Sequence, residues 1–133
     1  MRRILGPEDF RQMPWANGKG ITTELAREDR EGRMLWRLSR ASVVEDGPFS
    51  IFPGIERNLT VLTGPGFSLT GDGISLEARA YSPVAFPGDV PVAASGVAAP
   101  SDDFNVMTDR SLPRPTVEVV AGRRLLDPDT GIL

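Results

Sequence analysis

The 133-residue chain contains neither cysteine nor histidine. Without cysteine it can form no disulfide framework and offers no thiol nucleophile. Without histidine it lacks the imidazole on which Ser-His-Asp triads, common general bases and the metal clusters of many β-barrel oxygenases and isomerases depend. The sequence therefore predicts no metal site and no cofactor, and most ordinary routes to catalysis are closed.

Long apolar runs and a strong net charge are also missing. The longest uninterrupted apolar stretches, such as residues 97–99, are far shorter than the ~20 residues that span a bilayer. The basic start of the chain is cut off by Gly6 and Pro7 before a signal-peptide core could form. We therefore expect no membrane segment and a cytoplasmic location.

A nucleic-acid partner is not supported by the charge pattern. The net charge is −3, and the basic residues are scattered along the chain rather than clustered. Neither property attracts a phosphate backbone. Lys19 is the only lysine, so nearly all the cations are arginines, whose planar fork suits carboxylate recognition in a pocket.

The chain does contain 14 glycines and 12 prolines, spread along its whole length. Both residue types interrupt long helices, and a hydrophobic fraction of 40% is typical of a globular protein, so we predict one all-β domain over residues 1–133. Alternation and β-propensity place antiparallel strands at residues 35–44, 58–62, 67–70, 74–78, 83–86 and 116–120. The regular spacing of short strands indicates a sandwich or barrel. One helical turn is predicted at residues 7–11.

Residues 14–20, PWANGKG, place an aromatic, an amide and glycines in one early loop. Glycines allow close approach of the backbone to another group, and Asn17 can both donate and accept hydrogen bonds, which suits a small polar ligand. The alternative is an Asn-Gly turn with Trp15 in the core, and the pattern alone favours this alternative.

Residues 47–57, GPFSIFPGIER, form the most distinctive segment. Two aromatics and two prolines would make a stiff loop that delivers Arg57 to the start of the next strand, where it could meet an anion. The other interpretation is that Phe49, Phe52 and Ile55 close one end of the barrel and Arg57 is a solvated surface charge.

Residues 102–110, DDFNVMTDR, combine acidic and amide groups with an apolar centre. Adjacent carboxylates could hold a hard cation, but the ligand spacing of a calcium loop is absent, so a turn followed by a buried strand is favoured. Carboxylate catalysis by Glu24, Glu56, Asp89 or Asp103 is conceivable, although nothing in the spacing pairs any two of them.

Taken together, the motifs at residues 14–20, 36–39, 47–57, 86–89 and 103–107 resemble the HutD/Ves family in their order and spacing. The resemblance implies a cupin-like (RmlC-type) antiparallel β-barrel or β-sandwich linked to bacterial histidine utilisation. It implies ligand-binding side chains at Trp15, Asn17, Arg37, Ser39, Arg57 and Asn105, where arginine and amide groups would hold a carboxylate or formyl oxygen. Ala16 and Lys19 depart from the family's first motif, where a basic residue and a glycine are expected.

The resemblance also implies a function. We expect a non-enzymatic protein that binds a small carboxylate, such as urocanate or a formylated glutamate derivative, and regulates histidine utilisation. The alternatives are a metal-independent cupin-like isomerase or lyase acting on a small polar metabolite, and a degenerate remnant of the family. The C-terminal half is short for the family, so strand 116–120 would lie at an exposed edge, and we expect a homodimer to cover it.

Overall fold

A computed structural model describes residues 10–15, 20–115 and 117. Over these residues the chain forms strands, turns and loops, and no helix. In chain order the strands are β1 (Arg11–Pro14), β2 (Gly20–Arg30), β3 (Arg33–Val43), β4 (Gly47–Pro48), β5 (Ile55–Thr63), β6 (Phe67–Gly71), β7 (Ile74–Ala78), β8 (Val84–Pro87), β9 (Val92–Ser95) and β10 (Ser101–Asp109). The predicted all-β fold is confirmed.

Two predicted elements fall wholly or mostly outside the described residues. Only residue 117 of the predicted strand at 116–120 is described, and it lies in no strand. Of the predicted helical turn at residues 7–11, Phe10 and Arg11 are described. Arg11 lies in β1 instead of a helix.

The strands build two sheets, and all pairs between named strands are antiparallel. One sheet has the order β1-β2-β3-β10-β5-β8, and the other has the order β4-β9-β6-β7. Over the described part of the chain neither sheet closes on itself, so the architecture is a sandwich of two open sheets rather than a closed barrel.

The β2–β3 hairpin contains β2, the longest of the strands that the sequence did not predict. Its turn consists of Glu31 and Gly32, both with positive φ (53° and 78°), and a two-residue turn of this kind matches the right-handed twist of the flanking strands. β2 itself is rich in charged residues, and its register with β3 shifts between Glu24 and Ala26 and again between Glu28 and Asp29. These irregularities break the alternation that identifies a strand in a sequence.

The apolar core lies between the two sheets. Its residues are almost fully buried, and they come from both sheets: Val43, Leu59, Val61, Phe67, Leu69, Ala78, Phe86, Val92 and Ala94. Burying a side chain the size of leucine or phenylalanine stabilises the fold by about 1.5–3 kcal/mol. The core therefore holds the sheets together.

The inward-facing positions of β10 define three rows across the larger sheet, because β10 lies between β3 and β5. In the register the first row is Arg37–Met107–Arg57, the second is Ser39–Asn105–Leu59, and the third is Ala41–Asp103–Val61. All nine side chains are buried. From the first row to the third, the inward side chains on the strands beside β10 thus change from arginines to apolar residues. Asp103 lies in the third row, which borders the core.

Candidate ligand-binding site

A cavity of about 440 Å³ lies at the polar end of the sandwich. This volume is in the range of small-molecule sites. Its wall includes five of the six side chains predicted to bind a ligand, namely Trp15, Arg37, Ser39, Arg57 and Asn105. The sixth, Asn17, lies outside the described residues. Residues far apart in the sequence are therefore brought to one concave surface.

Arg57 is the central cation of this wall, and it is only 6% exposed. Its guanidinium carbon lies 5.4 Å from the ring centroids of Phe49 and Phe52 and 5.0 Å from that of Phe86, distances typical of cation–π contacts. Its Nη1 donates a long hydrogen bond, 3.4 Å, to the carbonyl oxygen of Ser50. The alternative in which Arg57 is a solvated surface charge is wrong.

Part of the Arg57 guanidinium is left without a partner. The buried Nε has no hydrogen-bond acceptor, and no carboxylate in the described ranges forms an ion pair with this side chain. Burial lowers the pKa of Arg57 to about 10, against the opposing effect of the Asp103 charge. Arg57 therefore stays charged at neutral pH, with a desolvated N–H donor still free.

The aromatic loop that flanks Arg57 is fixed by backbone hydrogen bonds to the neighbouring segment. The amides of Phe49 and Phe52 donate to the carbonyl oxygens of Val92 and Gly88, at 2.9 and 2.8 Å. The amide of Gly54 donates to Oδ2 of Asp89 at 3.1 Å. This geometry agrees with the stiff loop that the sequence of residues 47–57 predicts.

Arg37 differs from Arg57 because it already has a carboxylate partner. Its Nε donates to Oε1 of Glu24 at 3.0 Å, and both side chains are buried. Desolvation lowers the pKa of Arg37, and the charge of Glu24 opposes this effect. The Arg37–Glu24 pair contributes no net charge to the cavity. Arg57 contributes a positive charge that no direct contact among the described residues compensates.

Asp103 and Asn105 supply the acidic and amide groups of the site. Asp103 is fully buried, and Nδ2 of Asn105 donates a hydrogen bond to its Oδ1. Burial raises the pKa of Asp103 to about 7, although the hydrogen bond from Asn105 and the charge of Arg57 oppose the shift. Oδ2 of Asp103 and Oδ1 of Asn105 are buried and have no partner. Sequence reasoning did not assign Asp103 to the ligand site.

Trp15 belongs to both the cavity wall and the packing of the sandwich. Its indole Nε1 donates to Oγ1 of Thr22 at 2.8 Å, and its ring meets Phe49 edge-on, with centroids 5.7 Å apart. A Cβ atom at Gly20 would lie 2.9 Å from the indole, so glycine is needed there for the ring to approach the backbone. Trp15 therefore packs against the core, as the turn-and-core interpretation of the 14–20 motif predicts, and it also lines the cavity.

A family model described as HutD matches residues 7–129. The chain belongs to the HutD family. This confirms the family that the sequence motifs resemble.

Individual relatives agree with this assignment. The chain is 38% identical over 108 residues to a Pseudomonas putida protein named "uncharacterized 21.2 kDa protein in hutC 3′ region", covering 79% of this chain and 57% of that protein. It is also similar to the structure of HutD from Pseudomonas fluorescens SBW25 in a formate condition, with a TM-score of 0.73, 38% identity, and coverage of 79% of this chain and 59% of the other. The chain spans less than two thirds of the length of these relatives.

More distant structures show the fold. The cupin domain of a XRE-family transcriptional regulator from Enterobacter cloacae has a TM-score of 0.56 and 16% identity, covering 72% of this chain and 99% of that domain. The chain is therefore cupin-like in fold. The histidine-ligated metals often associated with cupins do not fit here, because the chain has no histidine and residues 10–15, 20–115 and 117 contain no group of three potential ligands.

Proposed function

We propose that the protein binds a small carboxylate in this cavity without catalysing a reaction, and that binding regulates histidine utilisation. Urocanate and formylated glutamate derivatives are the candidate ligands. The observation that carries the proposal is Arg57, a buried cation whose Nε has no partner at the wall of a cavity of ligand size. The link to histidine utilisation is supported by the family and by the name of the Pseudomonas putida relative.

A carboxylate is the ligand chemistry that best satisfies Arg57. Buried charges in proteins are normally paired and hydrogen-bonded, and a carboxylate offers two acceptor oxygens to a planar guanidinium fork. The three phenylalanine rings around Arg57 hold the fork in place and exclude water from it. The apolar ring surfaces would also contact the carbon skeleton of a metabolite.

The Arg57→Ala variant tests this proposal. A hydrogen bond to a charged group contributes about 1.5–3 kcal/mol, so we expect Arg57→Ala to weaken binding roughly ten- to a hundredfold. A thermal-shift screen of urocanate, formate and N-formyl-L-glutamate identifies a ligand, and calorimetry then gives its affinity for each variant.

Arg40→Ala is the matched control. Arg40 is a half-exposed arginine on the opposite face of β3, where it pairs with Asp102 at 3.7 Å. Its removal takes away the same charge from the protein but not from the cavity, so binding should be retained. Equal loss in both variants, or none of the three acids binding, would contradict the proposal.

Asp103 favours a second candidate function, a metal-independent isomerase or lyase. A carboxyl group with a pKa of about 7 at a cavity wall has the property that a general acid or base needs at neutral pH. Incubation of the same acids with the protein in D2O separates the two functions. A binding protein leaves their carbon-bound hydrogens in place, whereas proton abstraction by Asp103 would exchange them and would be lost in Asp103→Asn.

Two further expectations stay predictions. The cytoplasmic location rests on the sequence alone, as does pairing with a second copy of the chain, since most of the strand proposed for the dimer edge is outside the described residues. No described helix is long and apolar enough to cross a membrane. Light scattering coupled to size-exclusion chromatography would report the oligomeric state.

A further inference from the structure

We infer that the cavity takes up its carboxylate ligand together with one proton, which resides on Asp103 and is donated as a hydrogen bond to the ligand. This inference rests on the proposed binding function and adds to it a second recognition group and a dependence on pH. Arg57 would hold one side of the ligand carboxylate, and the protonated Asp103 would hold the other.

The placement of the two groups supports this assignment. Asp103 lies two rows deeper than Arg57 on the inward face of the larger sheet, with Asn105 in the row between them. Each of the three side chains lines the cavity and has a buried polar atom without a partner: Arg57 Nε, Asn105 Oδ1 and Asp103 Oδ2. Unpaired buried polar atoms are rare in proteins, and three of the six in the described residues lie on this one cavity wall, which indicates a site that a polar ligand completes.

Among the charged groups around the cavity, Asp103 is the one whose protonation can change when an anion binds. Arg37, Arg57 and Asp103 are the titratable side chains on the described wall, and Arg37 is neutralised by Glu24. The neighbouring carboxylate of Asp102 accepts a hydrogen bond from Ser42 and pairs with Arg40, and these residues alternate with the inward-facing positions of β10 and β3. On the outer strands, Arg11 of β1 and Arg27 of β2 are exposed.

An ionised Asp103 would oppose the ligand. Two carboxylates would then share one desolvated site with one uncompensated cation, and like charges in such a site raise each other's pKa. When Asp103 is neutral, Arg57 and the ligand form a balanced pair, and the Asp103 O–H supplies a donor that an ionised carboxylate lacks. Burial already raises the pKa of Asp103 to about 7, so protonation costs little near neutral pH.

The proton balance is simple. Above the pKa of Asp103 in the free protein, binding takes one proton from solvent to form an O–H bond at Asp103, and release returns it to solvent; below that pKa the proton is already in place. Ligand affinity should therefore not change with pH as long as Asp103 is protonated in both the free and the liganded protein. It should fall as pH rises above the pKa of Asp103 in the unliganded protein.

Formate is a suitable probe because it carries one charge and no other titratable group between about pH 5.5 and about pH 9. At constant ionic strength, we expect formate affinity to be flat below about pH 7 and to fall by up to about tenfold per pH unit above it. Asp103→Asn cannot ionise and should show no such fall. Asp102→Asn removes the adjacent carboxylate and should keep the fall.

A second measurement does not depend on the variant folding. The side-chain carboxyl carbon of Asp103 reports its protonation by NMR, and its titration midpoint in the wild-type protein should move to higher pH when formate is added. Formate binding with a flat pH profile and an unchanged Asp103 midpoint would overturn the inference while leaving the binding function intact. Absence of binding by formate, urocanate and N-formyl-L-glutamate at every pH would overturn both.

Discussion

Two regions between the sheets satisfy opposite requirements, although strand β5 contributes to both. In the apolar core, Leu59, Val61 and Leu69 have no exposed surface and fill the space between the sheets. In the cavity wall, β3, β5 and β10 turn Arg37, Arg57 and Asn105 inward. The core maximises apolar contact, and the cavity wall keeps polar groups out of water without giving each of their atoms a partner.

This difference shows which region contributes stability, and it agrees with the proposal that the other region binds a ligand. Apolar burial stabilises the fold in proportion to the area removed from water, whereas a buried polar atom without a hydrogen bond destabilises it. The unpartnered atoms of Arg57, Asp103 and Asn105 thus have no stabilising role of their own. Their placement is understandable if a ligand supplies the missing contacts.

The largest effect is expected from shortening a core side chain. Phe67 is 1% exposed and lies in the apolar cluster, so Phe67→Ala should lower the free energy of unfolding by about 3–5 kcal/mol in urea denaturation. Phe104→Ala is the control, because Phe104 is only half-buried on the opposite face of β10 from Asp103, and its loss should be smaller. Equal losses would mean that the cluster around Phe67 is not the main source of stability.

An effect of opposite sign is expected at the polar end. The pKa of Asp103 is raised from 3.8 to about 7 in the folded protein, so the contribution of Asp103 to stability is fully present below about pH 4 and is lost as pH rises toward 7. Asp103→Asn removes this loss, and between about pH 4.5 and about pH 8 its unfolding free energy should gain roughly 2–4 kcal/mol relative to wild type. Denaturation at the two pH values, with Asp102→Asn as control, measures it. Parallel pH profiles for wild type and Asp103→Asn would contradict this account of the site.

A smaller effect is expected where the cavity wall meets the packed sandwich. Trp15→Phe keeps an aromatic ring beside Phe49 but loses the hydrogen bond from the indole to Thr22, so the loss should be about 1 kcal/mol. A double-mutant cycle with Thr22→Val isolates this bond. A coupling energy near zero would show that the indole N–H does not anchor the wall.

Much of the fold follows from the sequence because turns and alternation are local. Strands β6 and β7 match the segments predicted at residues 67–70 and 74–78. β5 extends its predicted segment at both ends, and β3 begins two residues earlier and ends one residue earlier than its predicted segment. The start of β10 was predicted as a turn, since Asp102 and Asp103 are poor strand formers. Pairing with β3 and β5 on both sides overrides that local preference.

The alternation also does not tell which face of a strand is inside. In β10 the inward residues Asp103 and Asn105 are polar, while the outward Phe104 and Val106 are apolar and only half-buried. The usual inference from hydrophobic residues to the buried face therefore fails at the cavity. The sequence also does not point to Asp103 as a site residue, because strand register places it between Ala41 and Val61 and its raised pKa is caused by burial, neither of which is visible in the local sequence.

Contact between Arg57 and the ligand carboxylate can be observed directly in the side-chain NMR signal of Arg57. A ¹H–¹⁵N spectrum resolves the Nε–H groups of arginines, and formate can be titrated at about pH 6, below the pKa of Asp103. We predict a saturable shift of the Arg57 Nε–H signal and no shift for the exposed Arg110, which pairs with Asp89 and Glu56. A saturating thermal or calorimetric response without any shift of the Arg57 signal would contradict the proposed contact.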